Sequence, residues 1–101
     1  MPKLYEYLGL IVLFYANEHE PVHVHGKSQG RESKAELIFA DGVLVDIRIC
    51  DVRGKQALTS GEQSDFRDLV THFADDIARK WVDFFVFHKR IEAVRITRRI
   101  R

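Results

Sequence analysis

The stretch "SKAELIFADGVLVDIRIC", residues 33–50, decides the fold. Two runs that alternate apolar and polar residues flank Asp41-Gly42, a pair suited to a type I′ hairpin because both central residues of that turn need positive φ. The expectation is an antiparallel hairpin. Ala35, Leu37 and Phe39 share a face with Val43, Val45, Ile47 and Ile49 or oppose it, according to register.

Working outward, "KSQGRES" (27–33) is polar and glycine-containing and reads as a mobile loop. Before it, "VHVHG" (22–26) alternates with period two, and Pro21 biases Glu20 away from helix, so a second extended piece is expected there. Residues 8–16, "LGLIVLFYA", form a continuous apolar run that reads as a strand covered on both faces, with Gly9 marking a bulge or close packing.

Downstream of the hairpin, Thr59 or Ser60 can cap a helix, Ser60 with Gln63 as its capping-box partner. Phe66, Leu69, Val70, Phe73, Ile77, Trp81 and Phe84 then recur at helical spacing, which predicts one long amphipathic helix to about His88. Val82 and Val86 fall on its far side, either as isolated surface valines or as a homodimer contact. Val94, Ile96 and Ile100 alternate with basic residues and read as a last, edge strand. The fold expected is α+β over a single domain, residues 1–101: a mostly antiparallel sheet of four to five strands with one long amphipathic helix packed on one face.

Composition agrees with a folded, soluble chain of 101 residues, 46% hydrophobic and 31% charged. Its longest apolar run is well short of the roughly 20 residues that span a bilayer, and "MPKLYEY" lacks the design of a signal peptide. With the single cysteine, Cys50, these point to a cytoplasmic protein. Net charge is +1, but residues 89–101 carry six basic side chains against Glu92, leaving the rest of the chain acidic. That asymmetry suits self-association or an anionic partner. Arg95, Arg98, Arg99 and Arg101 are the candidate contacts to nucleic-acid phosphates or to an acidic protein.

The chemistry concentrates in "NEHEPVHVHG", residues 17–26. His23 and His25, two apart on an extended chain, point the same way about 7 Å apart. With His19, and with Glu18 or Glu20 as an additional ligand, they form a candidate site for one divalent transition metal, zinc foremost. An open coordination position would make hydrolase or nuclease chemistry available. The alternative is a structural turn in which the histidines bond backbone groups and pack beside Phe14 and Tyr15. His72, Asp75 and Asp76 are the helix residues that would add a ligand or a base, the alternative being a surface histidine beside Phe73 and a solvated acidic helix face. Nothing supports a nucleophile triad: Cys50 ends a strand, and no serine sits in a Gly-x-Ser-x-Gly elbow.

"MPKLYEYLGLIVLFYANEHEPVHVHG" resembles the opening of the bacterial family DUF4160. The family's hallmark is an N-terminal Met-Pro, a glycine before the first strand, and an Asn-Asp-His-x-Pro-Pro-His-x-His stretch. Pro2, Gly9, Asn17, His19, Pro21, His23 and His25 match that pattern, while Glu18 replaces the aspartate and Val22 the second proline. The hairpin at Asp41-Gly42 and a late helix carrying Trp81 match more loosely. The resemblance implies a small cytoplasmic protein acting with a small protein partner in a toxin–antitoxin-like or regulatory pair, with no established activity. A non-enzymatic role through that partner is the leading expectation, with the metal-dependent enzyme and the nucleic-acid binder as alternatives.

Overall fold

The computed structural model describes residues 2–15 and 22–100. Within them three two-residue turns organise the sheet. Leu8-Gly9, Gln29-Gly30 and Asp41-Gly42 each have positive φ at both residues, the type I′ geometry whose twist matches that of paired strands. They join β1 (Lys3–Tyr7) to β2 (Leu10–Leu13), β3 (His23–Ser28) to β4 (Arg31–Ala40), and β4 to β5 (Val43–Asp51). The hairpin expected at Asp41-Gly42 is present. The mobile loop expected at 27–33 is instead a tight turn between paired strands, and the run 8–16 is broken at Leu8-Gly9 by another. Leucine and glutamine are not typical positive-φ residues, so neither pair stands out as Asp-Gly does.

Among the described residues the sheet has six strands in the order β5-β4-β3-β2-β1-β6, where β6 is Val94–Ile96. β6 lies parallel to β1, so the sheet is mixed rather than antiparallel throughout and larger than four to five strands. It also stops short of Ile100, whose backbone N–H donates to the Tyr7 hydroxyl at 2.9 Å.

The hairpin register resolves through a bulge. Ala35 faces Ile49 and Leu37 faces Ile47, but the pairing shifts between Ile38 and Phe39 so that Phe39 meets Leu44. Leu44 therefore packs against the core, while Val43 and Val45 stand in solvent.

The helical region is two helices, α1 (Ser60–His72) and α2 (Ala74–Phe85), and not one helix running to His88. An unbroken helix of that span would be about 43 Å long, whereas the longest extent of the molecule is 33 Å. The break falls at Phe73 (φ −106°, ψ 19°), whose ring stacks on Tyr5 at a centroid separation of 4.9 Å. α1 thus lies toward β4 and β5, and α2 brings Trp81, Phe84 and Phe85 around Phe14. The cap is Thr59, with Glu62 completing the capping box, one residue earlier than the Ser60/Gln63 pairing. Glu62 also accepts two hydrogen bonds from Arg31 of β4, at 2.8 and 2.7 Å, which clasps α1 to the sheet.

The expected stripe is the core. Phe66, Leu69, Val70, Ile77 and Trp81 are buried over Tyr5, Tyr7, Leu10, Val12, Val24, Ala35 and Leu37, and Phe73 and Phe84 are partly buried. Val82 and Val86 face solvent as expected. Gly26 is the point of closest approach: a Cβ there would lie 2.9 Å from two carbons of the Phe66 ring. Neither helix is long and apolar enough to cross a membrane.

Candidate functional site

Strand alternation sends Val24 and Gly26 of β3 toward the helices and His23, His25 and Lys27 to the other face. The Gln29-Gly30 turn fixes the β3–β4 register, pairing Lys27 with Glu32 and His25 with Lys34. Glu32 therefore lies diagonal to His25 on the same face. His25 Nδ1 lies 3.0 Å from Glu32 Oε2, within hydrogen-bond distance, and the Tyr15 hydroxyl donates to the same oxygen at 3.0 Å. The Tyr15 ring meets the His25 ring edge-on, centroids 4.5 Å apart. The His23 ring stands 5.5 Å from that of His25 and 5.3 Å from that of Trp81.

These groups are buried, His23 and His25 at 6% and 7% exposure and Glu32 at 2%. Glu32 Oε1 has no hydrogen-bond partner among the described residues. An unmet buried acceptor costs about 1–3 kcal/mol, so a fold that keeps one invites a functional reason.

The two imidazoles meet edge-on, and their separation is compatible with a shared ion as well as with simple ring packing. A metal bound at about 2.0–2.1 Å from a ring nitrogen lies about 3.2 Å from the ring centre, and two such rings at a tetrahedral angle stand about 5.2 Å apart. The observed 5.5 Å is close to this. Among the described residues no group of three His, Cys, Asp or Glu side chains is arranged to hold a metal. His19, Glu18 and Glu20, the other expected ligands, lie outside the described residues. Packing beside Tyr15, expected of a structural turn, is present too.

Sequence reading missed Glu32 because it assigned residues 27–33 to a loop, where no face can be specified. The available signal was Gln29-Gly30 between two polar-alternating stretches, which as a turn would have set Glu32 beside the histidines. Trp81 was recognised only as a core residue, yet it also meets His23.

Asp76 is engaged elsewhere. The Tyr5 hydroxyl donates to its Oδ2 at 2.5 Å, Lys80 Nζ lies 3.0 Å from the same oxygen and 4.3 Å from the Tyr5 ring centre, and Arg79 pairs with Oδ1. Burial, and then the bond to Asp76, push the Tyr5 hydroxyl far above its ordinary range. Burial works to raise the Asp76 carboxyl, but Tyr5, Lys80 and Arg79 outweigh it and hold that group below its usual value. His72 packs edge-on against Phe73, and Asp75 is exposed at the start of α2.

The basic C-terminal residues fold back on the acidic body. Arg95 lies 3.7 Å from Glu6, and Arg99 bonds Asp65 at 3.1 Å. Arg98 is exposed, and Arg101 lies outside the described residues.

No curated protein and no solved structure matches the chain. A family model described as a domain of unknown function, DUF4160, matches residues 9–82, an interval that holds the β3–β4 and β4–β5 hairpins, His23, His25, Glu32 and Trp81. The chain belongs to the DUF4160 family.

Proposed function

We propose that the chain binds one divalent transition metal through His23 and His25, and that metal-assisted hydrolysis is the chemistry of this centre. The observation that carries the reading is the pair of buried imidazoles on one strand face at a ring separation of 5.5 Å. The Glu32 carboxylate on His25 Nδ1 supports it, because ligating histidines characteristically give their second nitrogen to a carboxylate or carbonyl. Zinc is the metal best matched to imidazole ligands with a carboxylate behind them. Glu18, His19 and Glu20, the other ligands expected from the sequence, lie outside the described residues. The test is metal stoichiometry of untagged protein equilibrated with zinc: about one ion per chain, lost in the His23→Ala and His25→Ala variants. Equal content in all three proteins would refute the reading.

A second reading, action through a small protein partner in a toxin–antitoxin-like or regulatory pair, is favoured by a different observation. Val82 on α2, and Val86 and Phe87 in the residues that follow its last turn, are exposed at 41%, 60% and 61%. Apolar surface gathered in this way is a usual mark of an interaction site. Its test is co-purification with a defined small protein from the native host, abolished by Val86→Lys; capture that this substitution leaves intact would remove the surface from consideration.

A further inference from the structure

We infer that the outer edge of β6 pairs antiparallel with β6 of a second copy of this chain, about a two-fold axis at Arg95, joining two sheets into one. The inference is independent of the metal reading. The sheet ends in β5 on one side and β6 on the other. At β5 side chains guard the main chain: Arg67 donates to the Ile47 carbonyl and Asp46 accepts from the Ile47 N–H. β6 has β1 on one side and, among the described residues, no strand or side-chain guard on the other. An edge of that kind is a template for another strand.

A second copy fits this edge because the sequence around Arg95 complements itself when reversed. In a two-fold antiparallel pair centred there, residues equally far from Arg95 on either side meet, and each contact occurs twice. Val94 then meets Ile96 of the second copy. Both lie on the face of Tyr5 and Tyr7, their partners in β1, so the apolar layer of one copy continues into the other. Val94, 45% exposed in the single chain, becomes covered.

Continued by two residues at each end, the same register sets Glu92 opposite Arg98 of the second copy. Both side chains are exposed, and neither makes an ion pair among the described residues, so each is available to a neighbour. Arg95 meets its own counterpart at the axis, but it lies 3.7 Å from Glu6 of its own chain. The axis therefore holds two guanidinium groups beside two carboxylates and carries no net charge. A pairing this short falls below the size of a stable complex, so the dimer should form at micromolar concentrations or above.

The test is sedimentation equilibrium of the full chain with amide NMR spectra over a dilution series from millimolar to micromolar protein. A chelator is present, so that an ion shared between copies cannot imitate the strand pair. The expected result is a monomer–dimer equilibrium, with amide shifts on dilution concentrated at residues 92–98. Glu92→Arg, which sets like charges opposite each other twice, should raise the dimer dissociation constant about tenfold, and the exchange Glu92→Arg/Arg98→Glu should restore it. The dilution series needs no variant, so it decides even if a substitution disturbs folding. A chain that is monomeric throughout, a dimer whose shifts fall on β5 or on Val82 and Val86, or one indifferent to Glu92→Arg would overturn the inference.

Discussion

Replacing Gly26 with alanine tests the packing that sets β3 beneath α1. The added Cβ would lie 2.9, 2.9 and 3.0 Å from the Cδ1, Cε1 and Cζ atoms of Phe66, against optimal carbon separations of about 3.5–4.0 Å. Phe66 is 0% exposed, so its ring cannot relieve the overlap by swinging into solvent. Strain of this kind costs about 1–3 kcal/mol. Alanine recovers roughly 0.5–1 kcal/mol because glycine loses more backbone freedom inside a strand. The net expectation is a loss of about 1 kcal/mol from the central values, and up to about 2.5 kcal/mol if the ring cannot move, read by urea unfolding followed through circular dichroism and Trp81 fluorescence. At about 4–8 °C per kcal/mol for a chain of this size, the midpoint should fall by roughly 4–20 °C. Phe66→Leu removes the ring that the methyl meets, so the Gly26→Ala/Phe66→Leu double variant should be more stable than additivity predicts, by about 0.5–3 kcal/mol. A neutral Gly26→Ala, or strict additivity in the cycle, would refute the close approach of helix and strand.

Leu8 has φ of 49° and is 46% exposed, a strained site for leucine, so Leu8→Asn should raise stability by about 1 kcal/mol in the same urea assay. Arg67 donates to the Ile47 carbonyl on the open edge of β5 at 3.0 Å, while Asp46 accepts from the Ile47 N–H at 2.9 Å. Together they blunt an edge that would otherwise pair with another chain, and Arg67→Ala should increase self-association measured by light scattering against concentration. Acid should weaken the fold through Glu62 and Asp76. Arg31 chiefly, and then the Thr59 backbone, hold the Glu62 carboxyl well below its ordinary value; Asp76 is also lowered. A carboxyl lowered in the folded state stabilises it above the unfolded value of about 4 and loses that contribution as pH falls toward the folded one. Unfolding midpoints should therefore decline below about pH 4, and Glu62→Gln should flatten the decline; a profile identical to wild type would contradict the clasp.

How much was legible depended on where each feature gets its stabilisation. The β4–β5 hairpin could be read because Asp41-Gly42 declares its turn in local chemistry. Leu8-Gly9 and Gln29-Gly30 make the same turn with a first residue that favours no such conformation, so the strand pairing imposes it. The apolar stripe from Phe66 to Phe84 named the core correctly, but its period does not show the break at Phe73, which arises from the need to cover a sheet shorter than one continuous helix. The parallel pairing of β6 with β1 joins residues some ninety positions apart and leaves no mark in either segment. At the site, period two alone aligned His23 with His25. Glu32 became visible only once the turn register was known, and Trp81 only once α2 was docked.

The central claim is that His23 and His25 hold one ion together, and paramagnetic NMR with Co2+ tests it most directly. At one equivalent, the ring resonances of His23 and His25 should shift or broaden together, with the Trp81 indole following because it lies 5.3 Å from His23. A response confined to His72 and His88, or none at any histidine, would contradict the claim.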